Sequence, residues 1–265
     1  MKQRSFWAAN ILLAIIASVF ISWKTGLPGL VENKKENVSA SVKNDTEVRK
    51  QALHSYISGI YANANLAAQG LDLSLFEKAV TGYMNLKNTG KLSAEKSILS
   101  IVDFSKPSTS KRLWIVDLAR QSVIFNTFVA HGQGSGDNVA RNFSNTPDSH
   151  QSSLGFYVTS DIYYGKHGRS MKLDGMDEGF NSNARSRAIV VHGADYVSQN
   201  FINAKGRLGR SHGCPAVPVE LTNKIIDTIV GKTCLFINAD EPGFKSAYLN
   251  PEVAMDYIAA IPQQL

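Results

Sequence analysis

Cysteine is scarce in this 265-residue chain: Cys214 and Cys234 are its only two, and they are too far apart for a C-x-x-C pair. H-E-x-x-H is also missing, so the spacings that usually announce a zinc site do not occur. There is no Gly-rich phosphate loop and no basic motif interleaved with aromatics, which excludes nucleotides and nucleic acid as expected partners. Low-complexity tracts and internal repeats are lacking too. What remains is an ordinary globular composition, 43% hydrophobic and 19% charged, with a formal net charge of +6. That mild excess suits an anionic partner, whether nucleic acid, anionic lipid or wall polymer, without choosing among them.

The one long apolar run is N-terminal. Lys2 and Arg4 precede a largely apolar stretch from Phe6 to Trp23, near the lower length limit for a spanning helix. The positive flank predicts a cytoplasmic N-terminus with the remainder translocated. Residues 1–24 read as a signal peptide or membrane anchor, and the lack of a small-x-small cleavage site favours the anchor. The body is then expected to be periplasmic or otherwise extracytoplasmic, tethered to the cytoplasmic membrane. In an oxidising compartment Cys214 and Cys234 could be bridged. Their settings differ, however: Cys234 lies in a strand-like "GKTCLFIN", Cys214 in a polar turn bounded by glycine and proline.

Residues 25–45 are polar and read as a linker; 46–95 read as a helical extension. Leu53, Tyr56, Ile57 and Ile60 recur at helical spacing there, and Ser74 with Glu77 suggests a capping box opening a second helix that "NTG" at 88–90 stops. From 96 to 240 the character is mainly β. Strand-like runs occur at 111–118, 122–132, 154–164, 187–193 and 233–238, the first two as a hairpin. A helix is inserted at 218–231, with Leu221, Ile225, Ile226 and Ile229 on one face. The stretch 132–153 has no periodic apolar face, and loops of that length are usually functional or mobile. Residues 241–265 read as a C-terminal tail.

Of the six histidines, His54 falls among polar helix neighbours, and His131, His150 and His167 fall in loops where any could line a cleft. His192 differs: it ends the apolar run "AIVV" just before Gly193, where a rigid strand aims its side chain. The stretch "RLGRSHGCPAVP" (207–218) supplies a matching partner. Pro215 biases Cys214 away from helical geometry, and Gly213 permits close backbone approach. The N–H groups of Gly213 and Cys214 could form an oxyanion hole. A thiol is only a few per cent thiolate at neutral pH, so a neighbouring base, His192 or His212, completes a nucleophilic pair. The rival is a metal held by His212, Cys214 and either His192 or His131. It lacks an adjacent carboxylate.

"VVHG" (190–193) followed by "RSHGC" (210–214) resembles the signature of L,D-transpeptidases with a YkuD-type catalytic domain, a His-Gly, a spacer and then Ser/Thr-His-Gly-Cys. "TP" at 146–147 with "GFYV" at 155–158 resembles the same family's TP-x-G-x-F strand, and the likeness covers about residues 110–240. It is closest to a divergent branch, the murein L,D-transpeptidase catalytic domain proteins. The resemblance implies a β-sandwich or barrel with inserted helices that acts on peptidoglycan stem peptides without cofactor or metal. It implies that Cys214 attacks an L-to-D peptide bond to form a thioester and that His192 is the base, held through its other nitrogen by the Gly193 carbonyl. His212 would line the site, Gly213 and Cys214 would stabilise the oxyanion, and Ser211 would brace the turn. An amine acceptor gives a crosslink; water gives L,D-carboxypeptidase or endopeptidase activity. A silent wall-binding protein is the reading from another class. The chain departs from the family after the cysteine, where Pro215 and Ala216 replace an apolar residue followed by Arg or Asn. Arg210 and Arg207 are the candidates to take over that substrate-binding role.

Overall fold

The structure, a computed structural model, describes the backbone of residues 29–260 and the side chains from Asp45 to Ala259. The apolar run at 6–23 lies outside the described residues. Among the described residues no helix is long and apolar enough to cross a membrane. The chain divides into two units, Met1–Val48 and Arg49–Leu265, and the sheet and the candidate site belong to the second.

Helix α1 (Gly29–Asn63) begins well before Thr46. The stretch read as an irregular linker is therefore helical from Gly29. Its Glu, Lys and Ala residues are good helix formers despite the polar character of the stretch, and Pro28 is the last proline before Pro107. Helix α2 (Leu73–Asn88) is capped by Asp72, whose carboxylate accepts from the N–H groups of Ser74 and Leu75. That replaces the expected Ser74–Glu77 box: Asp72 already occupies the cap, and Glu77 reaches the His54 ring at 2.9 Å instead.

Eight strands follow: β1 (Ile98–Asp103), β2 (Leu113–Asp117), β3 (Ser122–Thr127), β4 (Gly155–Gly165), β5 (Gly168–Gly175), β6 (Val190–Gly193), β7 (Ala216–Val217) and β8 (Cys234–Asn238). They form one sheet in the order β3-β2-β1-β8-β4-β5-β6-β7. β1 lies parallel to β8 and β6 parallel to β7, while the other pairs are antiparallel. Beyond β3, Ala130 bridges to Ala216 of β7, so the sheet curls into a nearly closed barrel.

Alternation along the strands feeds two cores. Leu99, Ile101, Trp114, Phe156 and Phe236 face α1, α2 and the C-terminal helix α5 (Pro251–Ala260); Leu113, Ile115, Tyr157, Leu235 and Ile237 face the interior. Both faces are covered, which is why these strands read as nearly continuous apolar runs. Helix α3 (Gln199–Lys205) is short, and helix α4 (Val219–Ile229) buries Ile225, Ile226 and Ile229 in the interior core. The helices at 46–88 thus pack as an extension of the sheet. The segment read as a tail docks too, with Asn85 donating to the carbonyls of Tyr248 and Asn250.

Candidate active site

β6 ends on His192 and Gly193, and the parallel register sets His192 against Ala216 and Gly193 against Val217. Cys214 lies two residues before Ala216, so the parallel register sets it level with Val190, two residues before His192 on the neighbouring strand. The turn that presents Cys214 is held by hydrogen bonds on both sides. Ser211 N–H donates to His131 O at 2.9 Å, and Gln133 N–H donates to Ser211 O at 2.8 Å. Ser211 Oγ accepts from Gly213 N–H at 3.0 Å and donates to Cys214 O at 2.6 Å. The expectation that Gly213 N–H faces an oxyanion is therefore corrected: a hydroxyl two residues upstream already occupies it. Ser152 Oγ links Gly132 N–H to the Gly213 carbonyl, each at 3.0 Å. Gly213 adopts φ +119°, and a Cβ there would stand 2.7 Å from Gln151 O.

Both thiols are free. Cys234 is fully buried on β8, in the helix-side core. Cys214 is half-buried, and its Sγ donates to Ala188 O at 3.6 Å rather than to an imidazole. Burial pushes this thiol above its ordinary value, against the pull of the Val190 N–H and the Arg187 guanidinium. His192 has Nδ1 2.9 Å from Gly193 O. A carbonyl can only accept, so Nδ1 carries the proton and Nε2 keeps its lone pair. Burial lowers the pKa of His192, with the nearby His167 adding to the effect and the Gly193 bond opposing it. At neutral pH the pair therefore rests as thiol and neutral imidazole.

His167, at the tip of the β4–β5 hairpin, stacks on His192 with ring centroids 4.3 Å apart. The registers align Tyr163, Ser170 and His192 in one row across β4, β5 and β6, with Lys172 beside Val190 on the same face. A cavity of about 230 Å³ lined by Tyr163, Lys172, Arg185 and residues 188–190 shares Ala188 with the thiol.

His212 is exposed and stacks on His150, with centroids 4.2 Å apart and planes 11° from parallel. His131 is wholly buried under Arg112 and lines no cleft. Among the described residues no group of three His, Cys, Asp or Glu side chains is placed to hold a metal ion. Arg207 and Arg210 both engage Asp137, at 2.7 and 3.4 Å, and Arg210 also donates to Gly136 O at 2.8 Å. They clamp the loop after Gly132. Ala216 is fully buried between β6 and Ala130, with no room for an Arg or Asn side chain.

Two features escaped the sequence reading, while His167 was read only as one of three loop histidines that could line a cleft, because its place at a hairpin tip beside His192 depends on the fold. Ser152 sits in an aperiodic loop. Arg187 directly precedes "AIVVHG", and proximity to that strand is the one signal that could have marked it.

A thiol-bearing turn next to a strand that ends in His-Gly, on a nearly closed sheet, is what the comparisons with known proteins can be set beside. A family model for the L,D-transpeptidase catalytic domain matches residues 67–238. The chain belongs to that family. Among solved structures it is similar to an L,D-transpeptidase from Mycobacterium smegmatis, at 10% identity and TM-score 0.34, covering 54% of this chain and 59% of that one. An L,D-transpeptidase from Mycobacterium tuberculosis matches at 12% and 0.33, covering 54% and 58%. One from Xylanimonas cellulosilytica matches at 15% and 0.32, covering 56% and 63%. The chain thus spans about three fifths of the length of each, and likeness this distant adds nothing to the family match. No curated protein sequence matches the chain significantly.

Proposed function

We propose that the chain is an extracytoplasmic peptidoglycan L,D-transpeptidase in which Cys214 is the nucleophile and His192 the general base. The observation that carries this reading is the Nδ1 contact of His192 with Gly193 O. It leaves Nε2 as the only basic atom at the end of the strand paired with the one following Cys214. In the first half-reaction His192 Nε2 takes the Sγ proton as sulfur attacks the carbonyl carbon of an L-to-D bond in a stem peptide. The tetrahedral oxyanion forms against the Cys214 N–H, since Gly213 N–H is committed to Ser211. Collapse breaks the C–N bond, the leaving amine takes the proton from His192, and a thioester remains on Cys214. An acceptor amine then attacks the thioester, passes its proton to His192, and expels the thiolate, which recovers that proton. The Tyr163–Ser170–His192 row and the Lys172 cavity are where the stem would lie. Water in place of the amine yields trimming rather than crosslinking.

Mass spectrometry of the full chain incubated with disaccharide-tetrapeptide tests this. The expected result is an acyl adduct on Cys214, a released D-amino acid and a crosslinked dimer. Trimmed monomer without dimer makes the chain a hydrolase. Turnover by Cys214→Ala equal to that of the parent would remove the nucleophile assignment altogether.

A further inference from the structure

The cation that sequence reasoning sought at Arg207 or Arg210 is supplied from elsewhere. Arg187 stands just before β6, and its guanidinium donates to Ser144 O at 2.6 Å, Ser153 Oγ at 2.5 Å, Ser149 Oγ at 3.2 Å and Gln151 O at 2.7 Å. None of these partners is charged, in contrast to Arg207 and Arg210, which share Asp137. The Gln151 carbonyl it holds is the same atom that a Cβ on Gly213 would meet at 2.7 Å, and Nη2 itself would lie 3.4 Å from that Cβ. One side chain therefore gathers four residues of the 144–153 loop and sets a full positive charge against the backbone of the residue preceding the nucleophile.

We propose that Arg187 is the positioning cation of this site: it presses the 144–153 loop against Gly213 and gives the Cys214 thiolate its positive neighbour. The proposal deepens the assignment of Cys214 as nucleophile and rests on that residue being the reactive thiol. It also accounts for the Pro215-Ala216 departure, because a cation delivered from the 187 side needs no side chain at buried position 216. Charge at this place matters for a thiol that burial otherwise keeps protonated. Of the charged groups in the cavity that shares Ala188 with the thiol, Arg185 is paired with Asp174 and Lys172 lies over the Tyr163 ring, and the other titratable groups around Cys214 are histidines and tyrosines. His192 on β6 is neutral, with His167 stacked on it. Tyr196, from the segment after β6, is pushed up to about 12 by burial and by Cys214, and so is neutral as well. Tyr157 of β4 is raised by burial and lies near Arg187. His212 of the nucleophile's own turn stacks outward on His150. Arg187 is thus the group whose charge faces the sulfur through the whole neutral range.

The pH dependence of Cys214 alkylation by iodoacetamide, read on the intact full-length protein and assigned to Cys214 by peptide mass, tests this without any wall substrate. For Arg187→Gln the expected result is a profile displaced to higher pH and alkylation about tenfold slower at pH 7. Arg187→Lys, which keeps the charge with fewer donors, is expected to stay near the parental profile while KM for a stem peptide rises. If the Gln variant does not fold, the Lys variant decides alone: a profile displaced well above the parent overturns the proposal. So does a Gln profile that superimposes on the parent's. Failure of the transpeptidase reading shows separately, as unaltered muropeptide with a normally reactive thiol.

Discussion

Two nearly identical tetrapeptides, "VAHG" at 129–132 and "VVHG" at 190–193, flank the short strand β7, one on each side of Ala216. The first histidine is wholly buried, and its Nδ1 lies 2.8 Å from an Arg112 nitrogen. A guanidinium can only donate, so this Nδ1 holds the lone pair and the proton is on Nε2, which has no partner. In the second the tautomer is reversed, because a carbonyl rather than an arginine faces Nδ1. Local sequence alone could not separate the two. Arg112, nineteen residues upstream, makes the first imidazole a packing element, whereas the carbonyl of the adjacent Gly193 fixes the proton on Nδ1 of the second.

Replacing each histidine by glutamine should split the pair most widely. His192→Gln is expected to cut turnover about 10³-fold with little change in Tm, whereas His131→Gln should lower Tm and spare the chemistry. Equal losses of turnover would dissolve the distinction. Arg112 comes next. It is fully buried, burial pulls its guanidinium down to about 9, and it donates to Val129 O, Lys106 O and His131. Arg112→Ala orphans those acceptors and should cost about 3–5 kcal/mol in chemical denaturation; a loss below 1 kcal/mol would mean that water satisfies them.

Acid should act on His131 somewhat less strongly. Burial, reinforced by Arg112, lowers it to about 4, so between its unfolded value near 6.5 and about 4 the unfolded chain binds the extra proton. The stabilisation is complete above pH 6.5 and is lost as pH falls through 4, amounting to about 3 kcal/mol. Denaturation curves across that window should show the slope, and His131→Asn should flatten it. The smallest effect concerns the two glycines. A Cβ on Gly193 would meet Thr222 Oγ1 at 2.3 Å, whereas one on Gly132 would meet the backbone at His150 O and Gly213 Cα. Gly193→Ala should therefore destabilise by about 1–3 kcal/mol and be relieved by Thr222→Ala. No side-chain truncation should relieve Gly132→Ala, and thermal melts of the double variants compare the two.

Legibility followed periodicity. Helix α4 and strands β2, β3, β4, β6 and β8 announce themselves through runs long enough to show a period. β7 has two residues, and β5 is glycine-bounded with a polar alternation, so neither stands out. Cys214 and His192 stand out in the sequence because a Gly-Pro turn and a strand end are local signals. The fate of Gly213 N–H, of Arg207 and Arg210, and of Arg187 was not, since each depends on which partner arrives from distant sequence.

Residue order alone carries the apolar strand runs of the sheet, the Gly-Pro turn around Cys214 and the family to which the chain belongs. These rest on side-chain size, alternation and backbone restriction, which act over a few residues. Which histidine keeps a basic nitrogen free, which arginines are neutralised by Asp137 and which one is held by the 144–153 loop beside Gly213 emerge only from the fold. Charge and proton position are settled by neighbours in space, and pairing across the sheet brings together residues that lie tens of positions apart in the chain.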